Sequence, residues 1–152
     1  MAFPSIFEAS TTEVSLNRLA NLTNETKPLW GKMNAAQVLA HLNVSYDAAY
    51  GKIDLRPSFM MKLMMKLFIK KVIVGEKPYK SNSPTAKEFI ISDVRDFEKE
   101  KALLIANITE TEKHGKAYFE GKVSSSMGAL TSNEWDIMFY KHMDHHFKQF
   151  GI

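Results

Sequence analysis

Apolar residues recur at helical spacing over most of the chain, and the points where that spacing starts and stops predict its elements. Leu16, Leu19, Ala20 and Leu22 follow Ser10-Thr11-Thr12-Glu13, a capping-box sequence whose hydroxyl and carboxylate can take up the free N–H groups of an opening helix. That helix should end before Pro28, since the residue ahead of a proline avoids helical angles. A second box, Asn34-Ala35-Ala36-Gln37, opens a helix with Ala35, Val38, Leu39, Leu42, Tyr46 and Ala49 on its apolar face, stopped by Gly51. Pro57 begins a third segment, Ser58 to about Val74, which is apolar almost all round with Lys62, Lys66 and Lys70 as its polar stripe.

Between Gly75 and Ile91 two prolines and many polar residues read as a long connection. Ser92-Asp93 is expected to cap a fourth helix, reaching about Lys113, with Phe97, Leu104, Ile105 and Ile108 on its core side. His114 to Leu130 holds three glycines and the run Ser124-Ser125-Ser126, and reads as a loop with a short hairpin at Lys116 to Val123. Thr131-Ser132-Asn133-Glu134, another capping box, starts a last helix to Gln149. No repeat or linker divides the chain, so residues 1–152 are expected to form a single all-α domain, a helix bundle with one long crossover.

Composition narrows the chemistry. The 152 residues are 45% hydrophobic and 24% charged, with no cysteine, which excludes disulfides, iron–sulfur clusters, Cys-ligated zinc and a thiolate nucleophile. Any metal must be held by His, Asp or Glu. Twenty Lys and Arg against 17 Asp and Glu is too small an excess to point to nucleic acid. The start, Met1-Ala2-Phe3-Pro4-Ser5, has no basic stretch leading into an apolar one, and no uncharged run approaches the roughly 18 residues of a membrane span. A cytoplasmic location is therefore expected, and a membrane is not the expected partner. Asn21, Asn43 and Asn107 stand in N-x-S/T triplets, two of them inside expected helices, so glycosylation is not expected.

At about 100° per residue, Trp135, Met138, Phe139, His142, His146, Gln149 and Phe150 share one face of the last helix, while Tyr140, Lys141, Asp144 and Lys148 lie opposite. Two buried imidazoles one turn apart are costly unless partnered, and a single metal ion would satisfy both. His41 is the best third ligand, because it borders the apolar face of its own helix beside the small Ser45 and Ala48. His114, next to Gly115, reads as exposed loop. His145, about 80° off the stripe, is placed to carry protons or to face solvent. Gln149 is either a support for the pair or a helix-end residue. Trp135 and Phe139 read as core that could wall a pocket, and Tyr46 and Asp47 could line its mouth.

His142-x-x-His145-His146-x-x-Gln149, together with Trp30-Gly31-x-Met33 and the Ala40-His41 helix, resembles the DinB/YfiT-like superfamily, and most closely a branch of mostly unknown function. The resemblance implies a four-helix bundle with a long crossover and a divalent metal (zinc, nickel or iron) held by His41, His142 and His146. It also implies a metal-dependent thiol transferase acting with a low-molecular-weight thiol on a small-molecule electrophile. A hydrolase that activates water is the neighbouring chemistry for three neutral ligands. The competing reading is a non-catalytic protein that binds a partner or a membrane surface through its basic, Met-rich third segment, 58–74. For that segment the pattern favours burial in the core or across a homodimer interface. Exposure of its methionines would favour the competing reading.

Overall fold

The computed structural model of the chain describes residues 3–152; Met1 and Ala2, part of the N-terminal stretch read above, lie outside them. The chain is mostly helical. In order come α1 (Ala9–Ala20), α2 (Ala35–Ala49) and α3 (Phe59–Met64), the last running through a π-helical turn (Met65–Ile69) into α4 (Lys70–Ile73). A 3-10 turn (Lys87–Phe89) precedes α5 (Phe97–Phe119), an antiparallel hairpin of β1 (Val123–Ser124) and β2 (Gly128–Ala129), and α6 (Ser132–Gln149). α2 lies along α5 and also meets α6, and α1 and α6 each pack on α5. Leu19, Leu39, Leu104 and Phe119 are completely buried where these helices face one another. Among the described residues no helix is long and apolar enough to cross a membrane.

Two of the three capping boxes form. Asn34 Oδ1 accepts from Gln37 N at 2.9 Å while Gln37 Oε1 accepts from Asn34 N at 3.1 Å. Thr131 and Glu134 exchange the same pair of bonds at the start of α6. The Ser10 box does not form: α1 begins at Ala9 with Glu8 at its cap, so Ser10 to Glu13 lie inside the helix. The entry is fixed from outside, since Asp136 Oδ1 on α6 accepts from Ile6 N at 2.7 Å and Glu8 O already receives Thr11 N and Thr12 N. A tertiary anchor has overridden a local capping signal.

α5 also starts later than Ser92-Asp93 predicts. Asp96 caps it, accepting from Lys99 N at 3.0 Å, while Asp93 uses its carbonyl to hold Gln37 Nε2 and its carboxylate to hold Arg95. It then continues past Lys113 through a kink at Gly115 (φ 66°, ψ 179°), so His114 is helical rather than in a loop. Fully buried Phe119 anchors that extension. The hairpin consequently lies at Val123–Ala129, later than expected, with the serine run at its turn. Asn43 and Asn107 are buried, Asn43 bonding to Glu100 and accepting from Asn107, which agrees with reading their triplets as chance.

Two larger corrections concern which surfaces are covered. Half of the side of α6 expected to be polar is buried as well: Lys141 is 2% exposed and Asp144 7%, while Tyr140 is half-buried and Lys148 exposed. Arg18 Nη1 and Lys148 Nζ reach Asp144 at 2.8 and 2.6 Å, and Lys141 Nζ donates to the carbonyls of Val72 and Gly75. The 59–73 segment is not in the core, one of the two places expected for it: most of its apolar side chains face the outside of the chain, as they also would at the other, a homodimer interface. Only Met65 and Ile73 of that segment pack against the core. With Ile69 they stand four residues apart, a spacing that drifts about 40° per step on an ordinary α-helix, and the wider π-helical turn between them removes part of the drift.

Candidate metal centre

The formed box at Asn34 fixes the start of α2, and burial of Val38, Leu39 and Leu42 fixes its rotation, which turns His41 toward α6. The box at Thr131 and the anchor at Asp136 do the same for α6, turning His142 and His146 toward α2. One ligand nitrogen from each of His41, His142 and His146 lies within 4.8 Å of the others. His41 Nε2 and His142 Nε2 are 2.8 Å apart. The three rings meet edge to face, with centroids 4.8, 4.6 and 5.0 Å apart. His41 and His146 are buried, and His142 is partly open.

The outer nitrogens of two rings are fixed by acceptors. His41 Nδ1 lies 2.7 Å from the carbonyl of Phe89 on the 3-10 turn, and a carbonyl only accepts, so Nδ1 carries the proton and Nε2 presents its lone pair inward. Gln149 Nε2 donates to Trp30 O at 2.6 Å, which orients the amide so that Gln149 Oε1 faces His146 Nδ1 at 2.7 Å. His146 Nε2 is thereby left as a free lone pair.

Burial resists a positive charge here. Desolvation, then repulsion from His41, His146 and His145, holds His142 well below the ordinary imidazole range. Burial pulls His146 down to about 3, and lowers His41 despite the Phe89 carbonyl. Three neutral imidazoles in one place, two with locked tautomers, match the donor set that a divalent transition ion requires.

The loop 29–31 closes the support. Leu29 N donates to Gln149 O at 2.7 Å, and Trp30 offers its carbonyl to the same side chain. Gly31 has φ +85°, and a Cβ there would stand 2.5 Å from Gln149 Nε2. Only glycine lets this loop approach the residue that orients His146.

Of the remaining candidates His145 borders the trio, its ring centroid 5.0 Å from that of His146, and the others sit elsewhere in the fold. His145 packs its ring edge to face against Trp30 and Tyr79 and lines a cavity of about 120 Å³ with Lys141 and Lys148. Burial lowers its pKa too, with Asp144 acting in the opposite sense. Ser45 Oγ donates to Leu42 O of its own helix. Tyr46 stacks on Phe139 in the core at 4.7 Å, and Trp135 also stacks on Phe139, at 5.5 Å, and donates Nε1–H to Lys122 O. His114 pairs with Glu110 at 3.0 Å and stacks on Tyr118. Sequence reasoning missed Phe89, whose contribution is a backbone carbonyl, and it gave Trp30 and Gly31 no physical role.

The family model described as "Protein of unknown function (DUF1569)" matches residues 7–151. The chain belongs to this family. The comparisons with curated proteins and with solved structures return no match. In this DUF1569 chain the matched span contains the three imidazoles, the Trp30-Gly31 loop, the Phe89 carbonyl and Gln149, so the site and its supports fall inside the family's extent.

Proposed function

We propose that this DUF1569 chain is a metal-dependent enzyme of DinB/YfiT-like type, a four-helix bundle of α1, α2, α5 and α6 with the 50–96 stretch as its long crossover. His41, His142 and His146 hold a divalent ion, and the substrate is a small molecule. The observation that carries this reading is the convergence of three neutral imidazoles, two of them locked by carbonyl acceptors at 2.7 Å. A divalent ion in that position supplies electrostatic stabilisation to a deprotonated thiol or water. The chain contains no cysteine, so a thiol must come from a low-molecular-weight cofactor. Phe89 and Gln149 hold the ligand rings in their productive tautomers. His145, at the aromatic cavity between Trp30 and Tyr79, is the residue placed to carry a proton between site and solvent.

The test is elemental analysis of protein purified without a histidine tag or chelating column, followed by thiol-transfer assays on a chlorodinitroarene and hydrolysis assays on a nitrophenyl ester. The expected result is stoichiometric zinc, nickel or iron, lost in a folded His142→Ala variant, with one of the two activities lost in parallel. Unchanged metal content in His142→Ala would remove the site from consideration.

A further inference from the structure

We propose that the arm formed by residues 59–73 docks this protein onto an anionic lipid surface. Phe59, Met60, Leu67, Phe68 and Val72 are 78, 70, 53, 69 and 62% exposed, and Met61, Leu63 and Met64 are exposed beside them. So continuous a run of large apolar side chains on one short element is what a protein shows where it meets a partner or a membrane. The arm is attached from beneath and at one end. Met65 and Ile73 pack on the core, Lys70 pairs with Glu134 at 2.9 Å, Lys141 holds the carbonyls of Val72 and Gly75, and Tyr79 donates to Ile73 O at 3.2 Å. Everything turned away from those attachments is hydrocarbon and lysine.

Charge selects the occupant. Lys62, Lys66 and Lys71 are exposed among the apolar side chains, and the sequence has no acidic residue between Asp54 and Glu76. Lysine stems can lie along the hydrocarbon while their ammonium groups reach anionic headgroups. A second copy of the chain would bring these uncompensated lysines against their own equivalents. The exposed apolar residues also run the length of the arm, from Phe59 to Val72, without a single helical spacing, a distribution that a fluid interface accepts without a matching groove. The metal site plays no part in this inference.

The experiment is flotation of the full chain with vesicles of phosphatidylcholine containing phosphatidylglycerol, and with vesicles of phosphatidylcholine alone, at low and high salt. Binding is expected on the phosphatidylglycerol vesicles, weakening as salt rises. Lys62→Gln/Lys66→Gln/Lys71→Gln should lower the partition coefficient roughly a hundredfold, and Leu67→Asp/Phe68→Asp should abolish it. The substituted side chains are exposed, so circular dichroism and metal content should match the parent protein. Absence of flotation by the parent chain overturns the proposal, as does flotation unaffected by either variant. A dimer in sedimentation equilibrium that Leu67→Asp/Phe68→Asp dissociates, with no vesicle binding, assigns the surface to a second copy and also overturns it.

Discussion

Helix α6 and the 59–73 arm invert each other. α6 takes Asp136, Lys141, Asp144, His146 and Gln149 into the interior, and every one of them has a named hydrogen-bond partner. The arm leaves phenylalanines, methionines and leucines outside, held only along one edge and at its base. Buried polar groups are stable only where several partners coincide, so α6 is fixed in rotation and height by many independent contacts. Exposed apolar groups demand nothing of their neighbours and fix little. The region suited to chemistry is therefore the over-determined one, and the region suited to docking is the one the fold leaves free.

The largest effect that would break this contrast is acid. In the metal-free protein His146 titrates at about 3 and His41 and His142 are also depressed, whereas the unfolded chain's imidazoles titrate near 6.5. Between those values the unfolded chain binds more protons, so stability is complete above about pH 6.5 and is lost as pH falls toward the folded values. The slope is on the order of 1 kcal/mol per pH unit for each histidine involved. Urea midpoints measured from pH 7 to pH 4 should fall steeply, and His146→Met should flatten the fall. The arm, which has no titrating group in this range, should leave the slope unchanged when Leu67 is replaced. A flat profile in the parent protein would mean that the imidazoles are not held neutral by burial.

A smaller effect sharpens the same contrast at the edge of the site. Gln149→Leu leaves the His146 Nδ1–H and the Trp30 carbonyl without partners, and should weaken metal affinity about 10- to 100-fold in competition with a chromogenic chelator. Gly31→Ala should act in the same direction by driving a Cβ into Gln149 Nε2, although residue 31 is itself exposed. Affinity unchanged in both variants would mean that the ring orientation of His146 does not depend on this loop.

How much of this was legible follows from what each residue depends on. The pairing of His142 with His146 is a property of one helix, so spacing reveals it without knowledge of the fold. His41 could be nominated but not placed, because the register between α2 and α6 is set by tertiary packing rather than by either helix. The Phe89 acceptor was invisible, since any residue at that position offers a carbonyl. Lys141 falls opposite the apolar stripe by helical angle, which cannot show that another element covers that side, and the helix end beside it, with the Val72 and Gly75 carbonyls, makes its burial tolerable. The arm was ambiguous in principle, because an apolar surface all round a helix is written the same way for a core, a dimer or a lipid interface. The Ser10 box failed where Asn34 succeeded because a remote carboxylate, Asp136, had already fixed where the chain enters α1.

The smallest effects lie where α6 meets the arm. Lys141→Met keeps the volume but leaves the Val72 and Gly75 carbonyls without their donor and Tyr79 without the ammonium 4.4 Å from its ring, and should cost about 1–3 kcal/mol in urea unfolding. Because those carbonyls belong to the base of the arm, amide exchange over residues 70–75 should accelerate more than exchange in α2. Leu67→Asp, on an exposed side chain, should stay within about 0.5 kcal/mol of the parent. If Leu67→Asp proved the costlier of the two, the apolar face of the arm would have to be covered in solution, and the opposition between an over-determined helix and a free one would fail at its first term.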